Sequence, residues 1–507
     1  LAQIQQTPIQ AAPSGFGTER SAEYLTQDDF ELVDVKPNTE RLDFSLSGKF
    51  DITTSKTTNL TLGGSMSYNN YNAYIYTYQA YNWVNNPQVI ANAWRVYARF
   101  RQSFGSAQEG KDAMESSSNI KNAYYTLQMD YSKSGSVTQD EDHGSNLWNY
   151  GYVGKFETKR TRIYNYGTDE STGMQGWIHA GFRDTLVEFT PGTINPTGTA
   201  YTETFFDIVG DNRAGNYENL FQIQQGGGLL NGDRPQNIYS LWHPTGRQYG
   251  GYQVVDNSQF RIVGMGSADI KDHAIQLGFE FEQRADRLYN TSPIGLWSLG
   301  RQYMNQHLTE LDLSNPMPVY RDGVYQDTIN YNRLVGNNQT YFDQGFRAAN
   351  GIPLKGTDFV DIDAYDPDDL SIDYFSADEL LNNGNGLVAY YGYDYKGNRI
   401  EGNTNLDDFF NAVDERGALK REIGAFQPIY VAGYIQDKFA FRDLVFNVGV
   451  RVDRFDANQP VMKDPFTLFP AVKVGDVDPS NLASGVSIPD NMGEDYVVYV
   501  VDNNSNK

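Results

Sequence analysis

The amino-acid sequence predicts an all-β chain that is part of a transmembrane antiparallel β-barrel, with long extracellular loops carrying short helices. Three observations predict it. Polar and apolar residues alternate with period two over segments of about 9–13 residues, and tilted strands of about that length cross a bilayer's hydrocarbon core. Short connections alternate with very long ones, as expected of tight turns on one rim and loops on the other. The apolar faces of eight such segments carry no Asp, Glu, Lys or Arg at their alternating positions.

The first segment, 41–52, sets Leu42, Phe44, Leu46, Phe50 and Ile52 against Arg41, Asp43, Ser45, Lys49 and Asp51. After a turn at 53–57, Leu60, Leu62, Met66 and Tyr68 form the apolar face of a returning strand, which makes a hairpin. Trp94, Val96, Ala98 and Phe100 then oppose Arg95, Arg99 and Arg101, and Tyr125, Leu127, Met129 and Tyr131 oppose Thr126, Gln128 and Asp130. A fifth barrel strand is expected through Tyr150, Tyr152 and Phe156, and a less regular sixth over 177–189. Segment 260–270 turns at 271–273 into Ile275, Leu277, Phe279 and Phe281, opposed by Gln276, Glu280 and Glu282. A last hairpin joins 430–439 to Leu444, Phe446, Val448, Val450 and Val452, opposed by Asn447, Arg451 and Asp453. Links 53–57, 105–118, 271–273 and 440–443 are the shorter ones, and 70–92, 190–257 and 285–428 are the long extracellular loops. The 158–175 link is longer than this scheme prefers.

A soluble sandwich or propeller would instead bury these apolar stripes against one another. Strand length, the 285–428 loop and the Arg, Asp, Glu and Asn spread along the wet faces favour the barrel. Its apolar side meets lipid, where a charge costs about 2–4 kcal/mol near the midplane. Its polar lumen is then lined by Arg41, Asp43, Lys49, Arg95, Arg99, Glu280, Glu282, Arg451 and Asp453. The aromatic run from Tyr68 to Trp83 reads either as an interfacial girdle or as a stacking surface. In the second reading Tyr71, Tyr74, Tyr76, Tyr78 and Trp83, with Trp297 on the longest loop, are the ligand-contact candidates.

Composition closes off other classes. The net charge of −24 would repel a nucleic acid, and the absence of Cys removes disulfides, thiol nucleophiles and Cys-ligated metals. No apolar run reaches the roughly 20 residues of a membrane helix. The chain starts at Leu1 without an apolar targeting segment and reads as an internal portion of a longer polypeptide. His143, His179, His243, His273 and His307 are scattered outside any His-Glu-x-x-His, and no nucleophile elbow or phosphate loop occurs, so an enzyme is not expected. Gly264-Met265-Gly266 lacks the third glycine of a dinucleotide loop and falls within a strand.

The long loops should fold on themselves. Trp297, Met304, Leu308 and Leu311 lie at near-helical spacing in 293–311, an amphipathic helix expected to cap the barrel mouth. Ser376 with Glu379 is a capping-box start, and Asn405 before 406–413 is another helix N-terminus. The acidic run containing Asp361, Asp363, Asp366, Asp368 and Asp369 offers oxygen ligands for a structural calcium ion. It lacks the glycine and terminal glutamate of an EF-hand, and a solvated acidic surface is the alternative.

Several stretches carry a family resemblance. The run 433–439, Gly-Tyr-Ile-Gln-Asp-Lys-Phe, continues through Arg442-Asp443-Leu444 and 447–453 to Phe455-Asp456 and is similar to the strand–turn–strand stretch of TonB-dependent outer-membrane receptors. The segments at 15–20, 181–186, 366–370, 391–395 and 463–466 resemble the Oar-like receptors of Bacteroidota. The resemblance implies a 22-stranded barrel in the cell outer membrane of a Gram-negative bacterium, with a plug domain and a TonB box that engages the TonB complex. The chain has neither plug nor TonB box and corresponds to about half of the barrel, so the plug and the C-terminal barrel strands are expected outside it.

The expected function is therefore a TonB-dependent receptor and transporter that captures a ligand with its outer loops and passes it through a plugged lumen. Outer-membrane lipid and the TonB complex are its implied partners. The alternative is a non-transporting outer-membrane barrel that serves as a platform for a surface lipoprotein, adhesion or an assembly complex. A missing TonB box in the full-length polypeptide would favour the alternative.

Overall fold

The computed structural model describes residues 7–8, 18–19, 25–104, 120–209, 219–382, 386–402, 404–462, 472–478 and 487–498. The 105–118 link, the 463–466 segment and most of 15–20 lie outside the described residues. The chain divides into a unit up to Asp456 and a second from Ala457. The strands of the first unit are β1 (Arg41–Thr53), β2 (Thr58–Asn72), β3 (Gln88–Phe104), β4 (Ile120–Gln139), β5 (Gly154–Thr168), β6 (Gln175–Pro191), β7 (Tyr252–Ile270), β8 (His273–Thr291), β9 (Met317–Arg321), β10 (Val324–Asn330), β11 (Val388–Tyr391), β12 (Ile429–Phe441) and β13 (Leu444–Asp456). In the second unit Val472–Lys473 pairs with Val497–Val498.

The main sheet is antiparallel, in the order β13-β12-β8-β7-β4-β3-β2-β1, with β11 added to the upper end of β8. Eight of the ten strands expected from the alternation lie in it. β7 and β8, like β12 and β13, join through two-residue turns whose first residues, Lys271 and Arg442, take φ of 55° and 56°. Turns of this kind match the twist of the flanking strands. These turns and the 54–57 turn share one end of the sheet; segments 73–87, 140–251 and 292–428 leave from the other. Residues 25–40 also lie at the long-loop end, where Asn38 Nδ2 donates to the carbonyls of Trp83 and Val84 at 3.1 and 2.9 Å.

The fifth and sixth expected barrel strands belong elsewhere, which corrects the sequence reading. Their place is taken by the β5–β6 hairpin, which joins β9 and β10 in a separate four-stranded sheet of order β9-β10-β6-β5; β5 begins only at Gly154, after Tyr150 and Tyr152, and runs through much of the expected 158–175 link. The chain therefore makes one excursion, 140–251, between β4 and its neighbour β7. The cause is burial: Tyr150, Tyr152, Val153 and Phe156 are all buried among the excursions, so no one-sided lipid stripe exists there.

Apolar cores are built by the excursions. One gathers Trp148, Trp297, Phe342, Phe346, Phe375 and Leu380, and a second joins Val153, Phe156 and Val187 to Tyr201 and Phe205. Five helices serve these cores: α1 (Pro196–Val209), α2 (Leu220–Gln225), α3 (Gly295–Tyr303), α4 (Tyr341–Ala349) and α5 (Ala377–Leu381); a further one, α6 (Leu406–Asn411), buries none of its residues. The capping boxes at Ser376 and Asn405 are present, with Ser376 N–H donating to Glu379 at 2.8 Å and Asn405 N–H to Asp408 at 2.8 Å. The helix expected over 293–311 is α3 followed by a single 3₁₀ turn, Gln306–Leu308, broken at Asn305 with φ 61°. Tyr289 belongs to the larger core, and Tyr252 and Val254 pack against it. All three stand in phase with Phe260 and Phe281, so the cap rests on the apolar-phase side of the β7 and β8 extensions and not over the polar side.

Candidate functional site

Alternation gives the main sheet two unlike faces. From Phe50 and Leu62 through Val96 and Leu127 to Phe279, Ile435 and Val450, one face is a band of exposed apolar side chains, half-buried on β7 at Phe260 and Ile262 and exposed there at Ile270. An uncovered apolar area this extended marks contact with something other than water. The band drifts along the strands. The row that starts at Gly48, near the middle of the β1 apolar stretch, passes through Gly64, Val96, Tyr131, Phe260, Gln283 and Ile429 to Asp456. On β13 the apolar stretch 444–452 is centred on Val448, eight positions before Asp456. Over seven strand-to-strand steps the drift is about one residue each; at about 3.3 Å per residue and about 4.8 Å between strands it is a tilt of roughly 40°.

The band has polar limits. Above Tyr131 and Phe260 the same face carries Lys133 and Asp256 at 3.3 Å, with Arg399 of the cap on Asp256 at 3.0 Å. Trp94 and Tyr131, with ring centroids 5.5 Å apart, stand just below, where amphipathic rings favour an interface. Toward the short-turn end His273 and Asp437 pair at 2.6 Å on the same face.

All nine residues expected to line the lumen share the opposite face. They are joined to one another or to neighbours: Arg41–Asp43 at 2.5 Å, Lys49–Asp51 at 3.0 Å, Arg95–Asp130 at 2.9 Å and Arg284–Glu282 at 2.7 Å. Arg99 donates to Gln128 at 2.8 Å, and Gln128 to Asp130 at 3.2 Å. Glu280 takes Arg261 at 2.6 Å and Arg451 at 3.6 Å, and Arg451 holds Asp453 at 3.0 Å, which also accepts from Tyr430. Tyr97 and Tyr434 lie flat over Gly63 and Gly278, where any Cβ would collide with the ring. Among these ladders is a recess of ≈640 Å³ beside Ser45, Ser47, Ser67, Ser134, Asn257 and Gln259, whose small side chains leave the space.

The aromatic candidates separate. Tyr71 lies under Arg41 at 5.1 Å and Tyr74 under Lys36 at 4.2 Å. Tyr76 and Trp83 are exposed. Tyr78 is buried against His243 with its hydroxyl pushed up to about 12 by desolvation, and Trp297 is fully enclosed, its Nε1 donating to the Trp148 carbonyl at 3.1 Å. Those two are core residues, and a ligand cannot reach their rings; Tyr71 and Tyr74 are half-buried, and Tyr76 and Trp83 are open.

The acidic run is likewise divided. Asp363, fully buried, holds Arg301 Nε at 2.5 Å and accepts from Asn231 at 3.0 Å. Asp366 binds Lys155 at 2.6 Å and, with Asp369, closes a capping box around a 3₁₀ turn that includes the exposed Asp368. Burial pushes the Asp361 carboxyl up to about 6, partly offset by Arg160 at 3.6 Å. Among the described residues no group of three or more His, Cys, Asp or Glu side chains is placed to hold a metal ion.

Sequence reading missed the centre of the cap. Asp343 and Arg347, one helical turn apart on α4, are both fully buried and paired at 2.7 Å, and Arg347 also donates to Asn305 at 3.0 Å and the Asp358 carbonyl at 2.9 Å. Their i, i+4 spacing looks the same as that of a solvated surface pair. No known family model matches the chain, and no curated protein matches it either.

Proposed function

We propose that this chain is part of the wall and the outer cap of a barrel in the outer membrane of a Gram-negative bacterium, and that it serves a TonB-dependent receptor. In this reading the excursions capture a ligand outside the cell, which passes along the polar face when the plug is pulled. The observation that carries the membrane part is the exposed apolar band crossing eight adjacent strands while the dry cores lie in the excursions. A tilt of roughly 40° supports it, since membrane barrel strands lean by about 35–45°. The transport part rests on the resemblance to TonB-dependent receptors and on the polar ladders and recess of the opposite face.

The test of the membrane part uses the full-length protein in vesicles containing brominated phospholipid. Trp94 fluorescence is quenched and the buried Trp297 is spared, so Trp94→Phe removes most of the quenchable emission. Equal quenching of wild type and Trp94→Phe, or none in either, refutes insertion. For transport, replacing 295–425 by a short loop abolishes ligand uptake while the barrel stays in the outer membrane; unchanged uptake refutes capture by the cap.

The platform reading draws on one further feature. Phe30, Leu32, Val33, Trp83, Val84 and Leu241 are exposed at the long-loop end, more apolar surface than a loop facing only water needs.

A further inference from the structure

The β5–β6 hairpin carries a cavity that the capture reading does not use. It measures ≈430 Å³, in the size range of small-molecule sites, and is lined by Arg162, Ile163, Tyr164, Trp177, Arg183 and Thr328. It opens at the bulge where the β5–β6 register shifts between Ile163 and Tyr164. Arg162, opposite Phe182, and Arg183, opposite Thr161, stand at adjacent register positions of the hairpin, and both line the space.

The two guanidinium groups are unengaged. Among the described residues neither makes an ion pair or hydrogen bond, although the chain has 64 acidic residues against 40 Lys and Arg. The nearby carboxylate in the hairpin, Asp184, is taken by Arg160 at 2.7 Å, and no Asp or Glu lines the cavity. A third cation, Arg333, lies 3.9 Å over the Phe182 ring. The buried His179, its Nδ1 2.9 Å from the Tyr331 carbonyl oxygen and its Nε2 2.8 Å from that of Gly181, is held below the usual histidine range by burial and then by the fields of Arg162 and Arg333. Trp177, half exposed and edge-on to Tyr166 at 5.3 Å, supplies an aromatic wall.

We propose that this cavity binds a small organic oxyanion, a carboxylate, sulfate or phosphate carried on a ring, with the charge on Arg162 and Arg183 and the ring on Trp177. Guanidinium groups bind such oxyanions through paired N–H donors, and an indole face accepts a flat or C–H-rich ring. The site is built by the cap alone, so it stands separately from the reading of the main sheet as a membrane wall.

Calorimetry on the detergent-solubilised full-length protein tests it with two anionic probes, trigalacturonate and adenosine 5′-monophosphate, each beside its neutral counterpart, maltotriose or adenosine. At least one anionic probe is expected to bind, its neutral counterpart at least tenfold more weakly. Arg162→Ala with Arg183→Ala should cost at least tenfold, Trp177→Ala should weaken binding, and Trp177→Phe should retain most of it. Which probe binds distinguishes an acidic sugar from a nucleotide-like source. No binding of either anion, equal binding of the neutral counterpart, or an unaffected double variant overturns the proposal. Because the Arg side chains are exposed, far-UV circular dichroism of the double variant should match wild type. A failure here leaves the Trp94 quenching result untouched.

Discussion

Leu62→Arg separates a membrane wall from a water-facing sheet by the size of one number. Leu62 sits within the apolar band on β2, paired with Phe50 and Ala98, and its side chain is 41% exposed. In water, a substitution at so open a site changes stability by about 0.5 kcal/mol or less. In a bilayer the guanidinium lies near the hydrocarbon midplane and costs about 2–4 kcal/mol. Ser67→Arg on the same strand is the control: its side chain faces the ≈640 Å³ recess, which has room and polar neighbours, and the cost should remain under about 1 kcal/mol. The assay is urea unfolding of the full-length protein in vesicles, followed by tryptophan emission, with both variants on one baseline. If Leu62→Arg and Ser67→Arg fall within 0.5 kcal/mol of each other, lipid contact by the band is refuted.

Asp343→Ala strands the enclosed Arg347, and removing one partner of a buried ion pair costs about 3–5 kcal/mol, so limited proteolysis should cut the cap while the main sheet stays protected. His243, lowered to about 4, and His179 and His307, also lowered, are held down chiefly by burial. A folded pKa below the unfolded value means full stabilisation above pH about 6.5, lost as pH falls toward the folded value. Asp361, raised to about 6, acts the other way: its contribution is present at low pH and is lost as pH rises through about 6. Cap melting between pH 7 and 5 should therefore shift down, less in His307→Gln and more in Asp361→Asn. Chelator should leave proteolysis of the 358–373 loop unchanged, since Asp361, Asp363 and Asp366 already face Arg160, Arg301 and Lys155; a faster cut would revive the calcium site.

Period-two alternation identifies a one-sided strand but not what covers its oily side. That suffices for the eight strands of the main sheet. It fails for β5 and β6, although a signal is present: Arg160 and Arg162 stand in phase with Phe156, which no lipid stripe allows. The caps at Ser376 and Asn405 were legible because they are local. Trp297 was misread because an aromatic in a loop gives no sign of whether a core will form around it, and this core draws on Trp148, Phe342 and Phe375, far away in sequence. The Arg162–Arg183 cavity depends on the β5–β6 register and on pairing with β10, neither of which leaves a trace in spacing.

Because Tyr289 of β8 is one of the aromatic rings in the cap's own interior, and Val388–Tyr391 is hydrogen-bonded to the end of that strand, the 292–428 excursion is packed onto the sheet as well as tethered to it. A foreign insert grafted between β8 and β12 would inherit an oily tyrosine shelf and an unpaired strand edge.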